Sequence, residues 1–150
     1  MAGSPSSLPS GIFTIQAQER IVFGEPVGKA LLAEIDRLGA RRVFVTSTRS
    51  LAKLADGPLQ RIEAALGKLH VGTFSAIGSH SPREDVIVGA MAARAADADL
   101  LVAVGGGSVI DATKAMLMCL WHRLDSPAAM EPYRSGRDDG ARNEFLWARD

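Results

Sequence analysis

The chain has 150 residues, 47% of them hydrophobic, enough for one domain with a core of its own. Lysine plus arginine and aspartate plus glutamate number 17 each, so the net charge is zero and no basic footprint for nucleic acid or for an anionic membrane exists. No apolar run approaches the ~20 residues of a membrane helix, and the one cysteine, Cys119, permits no internal disulfide, so a soluble protein of a reducing, cytoplasmic setting is expected.

Residues 1–10 (MAGSPSSLPS) are rich in serine and proline and lack both a basic start and an apolar stretch, which reads as a flexible leader rather than a signal peptide. Two short β-prone pieces follow, Ile12–Ile15 and Arg20–Phe23, the second ending at a Gly24-Glu25-Pro26 turn. Val27, Leu31, Ile35 and Leu38 then recur at helical spacing, with Pro26 at the start and Gly39 as the stop, so a helix over Val27–Leu38 is predicted. Arg42–Thr46 (RVFVT) reads as a parallel strand ending in Thr46-Ser47-Thr48. Ser50–Leu66 reads as a helix broken at Asp56-Gly57-Pro58, and Val71–Ile77 as a strand that runs into the loop Gly78–Pro82. A helix opens at Pro82 and reaches about Ala96. Cys119 falls in a later apolar helical run, where it reads as a small buried hydrophobe. His70, His80 and His122 show no metal spacing.

The stretch from Ala98 to Met118, ADADLLVAVGGGSVIDATKAM, organises the rest. Leu100–Val104 suits a strand buried on both faces of a parallel sheet. Gly105, Gly106 and Gly107 follow, and then a helix in which Val109, Ala112 and Met116 recur at helical spacing. Ser108 suits its N-cap, with Asp111 placed three residues on for a capping box. Strand, glycine turn and helix start form the geometry that receives a phosphate, because glycine admits close approach and the first-turn amides lack intrahelical partners. A tight turn between strand and helix uses the same residues with no ligand at all, and both readings stay open at this point. The Walker pattern is absent, and GxGxxG fails at Ile110.

Four successive βα units of this kind require a parallel sheet covered on both sides, a doubly wound, Rossmann-like α/β domain over residues 11–120. From Trp121 onward prolines, glycines and mixed charge prevail. Apart from a short helix around Ala128–Tyr133, residues 121–150 read as a loop-rich tail.

Gly105-Gly106-Gly107-Ser108-x-x-Asp111-x-x-Lys114-Ala115 resembles the GGGSxxDxxKA signature of the iron-containing alcohol dehydrogenase family, which includes glycerol dehydrogenase-like enzymes and maleylacetate reductases. The resemblance extends over residues 12–120. It implies an N-terminal nucleotide-binding domain that takes NAD or NADP. Gly106, Gly107 and Ser108 would hold the cofactor pyrophosphate and Gly105 would shape the turn, with Asp111 near the nicotinamide end. Lys114 shares a helix face with Asp111, where an ordinary salt bridge is the plainer reading. Many relatives carry a ribose-binding aspartate where this chain has Thr46 and Ser47. An acid there would repel the 2′-phosphate of NADP, so its absence leaves the cofactor choice open. His80, in a loop that relatives place near the cofactor, is a candidate phosphate or ribose contact. By likeness, the N-terminal strands would form a dimer-pairing edge.

Family members are more than twice this long, and their helical second domain supplies an aspartate and three histidines to a divalent metal, iron or zinc. No such ligands follow Lys114, so the resemblance implies the cofactor half of an oxidoreductase, working with a complementary helical domain. Maleylacetate reductases tend to have glycine at the Asp111 position, whereas HVGTFSAIGSHSP leans towards them, so the substrate stays open. A non-catalytic nucleotide-binding or interaction module is the alternative.

Overall fold

The computed structural model describes residues 19–134. Three parallel strands carry the fold: β1 (Val43–Thr46), β2 (His70–Phe74) and β3 (Leu100–Ala103), in the order β2-β1-β3. Helix α1 (Val27–Leu38) precedes β1, α2 (Arg49–Ala52) and α3 (Pro58–Leu66) lie between β1 and β2, α4 (Arg83–Ala95) joins β2 to β3, and α5 (Gly107–His122) follows β3.

Alternation along the strands sorts the core into two layers, because successive side chains point to opposite faces. Val43 and Val45 of β1, with Leu100 and Val102 of β3, meet Ile35 of α1 and Leu59, Ile62 and Leu66 of α3. Phe44 and Leu101 meet Val86, Ile87, Ala90 and Ala93 of α4 and Val109, Ala112, Met116 and Cys119 of α5. Helices therefore cover both faces, and the expected doubly wound, Rossmann-like α/β arrangement is found. Because the chain runs outward from β1 to β2 and then crosses back to β3 on the other side, the winding reverses between β1 and β3. Ligands of open α/β sheets collect at the carboxyl ends of strands at such a reversal.

Helix α1 has the boundaries that its periodicity predicted, and Gly39 closes it at φ 70° and ψ 15°, the left-handed conformation that glycine adopts without a Cβ penalty. The break at Asp56–Pro58 separates α2 from α3 as expected, with Pro58 as the first residue of α3. The short helix at Ala128–Tyr133 is also present, as a 3-10 turn.

Four expectations need correction. Arg20–Phe23 is not a strand, so among the described residues the sheet has three strands where four βα units were expected; Ile21 and Phe23 are 70% and 87% exposed, and a β-prone segment forms no ladder without a neighbouring backbone to pair with. Residues 12–15 lie outside the described part. Strand β3 is half-buried rather than buried on both faces, and Ala103 is exposed, because β3 is an edge strand; β1 is the strand buried throughout. Strand β2 stops at Phe74, short of Ile77. Finally, packing continues past Leu120: α5 runs to His122, Leu124 and Met130 are buried against α4 and α5, and the His122 and Tyr133 rings lie 4.5 Å apart. Apolar spacing is sparse there, so sequence alone reads loop where single anchors hold the chain. Residues 1–18 and 135–150, including the leader and most of the tail, lie outside the described part. Among the described residues no helix is long and apolar enough to cross a membrane.

Candidate functional site

The glycine turn lies at the carboxyl end of β3, beside the point where the winding reverses. Gly105 is required there by contact: a Cβ would stand 2.5 Å from Cγ2 of Val109, a buried core residue. Gly106 and Gly107 differ, for a Cβ on either would meet nothing within 4 Å. The turn is thus tight against the core at its first glycine and open to the outside at the next two.

Gly106 takes an extended conformation (φ −91°, ψ −164°) and is the N-cap of α5; its carbonyl accepts from the Ile110 amide at 3.1 Å and from the Val109 amide at 3.0 Å. The amides of Gly107 and Ser108 occupy the first turn, where no upstream helical carbonyl reaches them. They present donors at the positive end of a 16-residue helix, which favours an anion. The sequence reading is corrected in one respect: Ser108 is the second residue of the helix, not its cap. Asp111 therefore lies a full turn inside, exposed, and closes no capping box. Nor do Asp111 and Lys114 form an ion pair, and both side chains are exposed.

Ser108 is engaged by the loop that follows β2. The His80 amide donates to Ser108 Oγ at 3.3 Å, and the Ser81 hydroxyl donates to the Ser108 carbonyl at 2.6 Å. Since Oγ of Ser108 accepts from His80, its own proton remains available to donate. His80 and Ser81 both have positive φ, 62° and 52°, a conformation uncommon for residues with a Cβ. The loop is anchored behind them, with the Gly78 amide donating to Asp85 Oδ2 at 2.9 Å. His80 itself is exposed at the rim.

Thr46 and Ser47 lie elsewhere in this arrangement, fully buried between β1 and β3. Ser47 Oγ donates to the Val104 carbonyl at 2.9 Å. Thr113 of α5 donates to the Val109 carbonyl, so Thr46 donates in turn to Thr113 Oγ1 at 2.6 Å. Their hydroxyls close the crevice at the reversal and tie β1 to the element bearing the turn. Sequence reasoning thus placed Gly105–Ser108 and His80 in one neighbourhood, while Thr46 and Ser47 point into protein.

Two contributors carried no sequence signal. One is Ser81, which reaches a residue 27 positions away. The other is Asp99, whose carboxylate accepts from the Arg41 and Arg42 amides at 2.8 Å each and joins the start of β3 to that of β1. Burial works against the ionised form of Asp99, but these amides, its own amide and the Arg42 charge hold its carboxyl below the ordinary value. Cys119 is buried as expected, and burial pushes its thiol up despite Arg94 nearby. Among the described residues no three of His, Cys, Asp and Glu are grouped to hold a metal ion.

Comparison with known proteins agrees with the signature in the glycine turn. Residues 18–143 match the family described as iron-containing alcohol dehydrogenase. Maleylacetate reductase 2 of Cupriavidus pinatubonensis (strain JMP 134) is 46% identical over 99 residues, which cover 66% of this chain and 26% of that protein. Among solved structures, a putative alcohol dehydrogenase from Ralstonia eutropha JMP134 superimposes with a TM-score of 0.62 at 35% identity, over 73% of this chain and 30% of the other. Maleylacetate reductase from Agrobacterium tumefaciens gives 0.61 at 33% identity, over 78% and 31%. The chain thus spans under a third of the length of each of these relatives. On the match across most of its length, together with its glycine turn and parallel sheet, the chain belongs to the iron-containing alcohol dehydrogenase family.

Proposed function

We propose that this chain is the dinucleotide-binding part of an oxidoreductase of this family, and that it holds NAD or NADP by the pyrophosphate on the amides of Gly107 and Ser108. The observation that carries the proposal is the open space over Gly106 and Gly107, directly before the unpartnered first-turn amides of α5. A pyrophosphate needs both, room for its oxygens and donors that need not be taken from another bond. The free hydroxyl proton of Ser108 adds a third donor, and Gly105 keeps the turn tight. Asp111 and Lys114, exposed one and two turns along α5, and His80, exposed in the loop that bonds Ser108, are further candidate contacts for the dinucleotide in this reading. Thr46 and Ser47 serve as the buried joint beneath it rather than as ligands. Arg49 is exposed beyond β1, and no acid at Thr46–Thr48 opposes a 2′-phosphate, so both dinucleotides are compatible with the site.

The nicotinamide, when bound, exchanges a hydride with an alcohol or carbonyl compound. The described residues offer no metal donor set, so no metal-assisted step is assigned to them. In this reading turnover also involves a complementary, metal-binding domain. Several relatives are named maleylacetate reductases, which makes maleylacetate the first substrate to try once that complement is present. Homodimerisation and a cytoplasmic location belong to the same reading.

Calorimetric titration of the chain and its Gly107→Asp variant with NADH and NADPH tests the site. The added carboxylate has room, and at the first helical position it favours the helix by about 0.5 kcal/mol, so the variant should melt no lower than wild type. Binding should weaken at least about 30-fold, some 2 kcal/mol, through repulsion of the pyrophosphate. Undiminished binding would put the dinucleotide elsewhere. Absence of binding in wild type would favour the non-catalytic module.

A further inference from the structure

We infer that Ser81 is a positioning residue for the dinucleotide site, holding the first turn of α5 in its anion-receiving form; the inference rests on the reading above and identifies what keeps that site in shape. The first turn of any helix is its least constrained part, since its own amides are not tied to upstream carbonyls. In this chain a Cβ on either of the two glycines at its start would meet nothing and no side chain caps it, so its own element anchors the turn from beneath, through the buried Val109, and not on its outer side. The constraint there comes from the other crossover. Ser81 donates to the Ser108 carbonyl at 2.6 Å, and the neighbouring His80 amide donates to Ser108 Oγ at 3.3 Å, so Ser108 is gripped by main chain and side chain together.

The loop adopts an unfavourable backbone to do this. His80 and Ser81 are consecutive residues with a Cβ and positive φ. Such strain persists only where the surroundings over-determine it. Behind the strained pair, the Gly78 amide bonds Asp85 in the first turn of α4, and the Ser81 amide bonds the Gly78 carbonyl at 3.3 Å. The loop is therefore braced on α4 and reaches across to α5, and α4 and α5 are packed against each other through the core. Holding the receptor groups in place before the anion arrives removes ordering cost from binding, which shows as affinity.

The test uses Ser81→Ala and Ser81→Gly, read by NADH calorimetry, by amide hydrogen exchange and by thermal melting. Alanine removes the hydroxyl and keeps the strain, whereas glycine removes both. Loss of one short hydrogen bond to the turn should weaken NADH binding about tenfold in both variants. The Val109 and Ile110 amides, bonded to the Gly106 carbonyl, should exchange about tenfold faster while amides of β1 exchange as before. A general loss of stability would instead speed all of them and lower the melting temperature in step. If Ser81→Ala binds weakly while Ser81→Gly binds like wild type, the strain left without its hydrogen bond and not the hydroxyl itself governs affinity, and the inference is overturned. It is overturned equally if wild type and both variants bind alike. If wild type binds no dinucleotide, the proposed function fails on its own account, and exchange at Val109 and Ile110 still decides whether Ser81 holds the turn.

Discussion

Replacing Asp99 with asparagine probes the joint between the central strand and the strand that carries the glycine turn. The carboxylate spans the amides of Arg41 and Arg42 at 2.8 Å each, and the Asp99 amide returns a bond to the Arg42 carbonyl at 2.9 Å. An asparagine can accept from one of the two amides and turns an NH2 group towards the other. A hydrogen bond to a charged acceptor contributes about 1.5–3 kcal/mol, but Asp99 is exposed and water partly replaces a lost partner, so we expect a loss of about 2 kcal/mol. For a chain of this size that is about 6 °C in melting temperature. The effect should depend on pH with a definite sign. Asp99 titrates below its ordinary value in the fold, so the stability it brings is complete above the unfolded value of about 3.9 and is lost as pH falls through the lower folded one. Thermal melts of both proteins should therefore differ at pH 7 and converge in acid. Equal melting at pH 7, or a gap of the same size in acid, would mean that the Asp99 carboxylate does not hold this joint.

Other outcomes are expected from the same structure. Met116, fully buried between α4 and α5, should cost about 2–5 kcal/mol when truncated to alanine, measured by denaturant unfolding. Ile110, Leu117 and Trp121, the last 68% exposed, recur at spacings of seven and four along α5 and leave an apolar stripe on a chain of zero net charge. Self-association is expected from it, and sedimentation should find the Leu117→Lys, Trp121→Lys variant shifted towards monomer at unchanged helix content.

Much of the fold could be read from local pattern. Helix α1 announces itself by Pro26, a 3.6-residue apolar period and Gly39, all within one segment, and the break before α3 is carried by Gly57-Pro58 alone. The glycine turn was legible from its run of three glycines between an apolar strand and a helical pattern, although the fold demands glycine by contact only at Gly105. What escaped was set by partners distant in sequence. Leu100–Val104 is an apolar run whether a strand is central or at an edge, and only the strand order β2-β1-β3 decides which. Ser108 has the chemistry of a cap, yet its Oγ is taken by the His80 amide and the cap falls on Gly106. Thr46 and Ser47 sit at a strand end where ligands gather, but Thr113, 67 residues on, and the Val104 carbonyl take their hydroxyls. Residues with short polar side chains have many possible partners, and their roles follow from topology rather than from spacing.

A nicotinamide dinucleotide held on the glycine turn should be visible at the backbone amides that receive it. The decisive experiment is amide chemical-shift mapping of the isotope-labelled chain during titration with NADH. Saturable shifts should centre on Gly106, Gly107 and Ser108 and extend to His80 and Ser81, with β1 little changed. Shifts confined to other surfaces, or none at saturating NADH and NADPH, would contradict that placement.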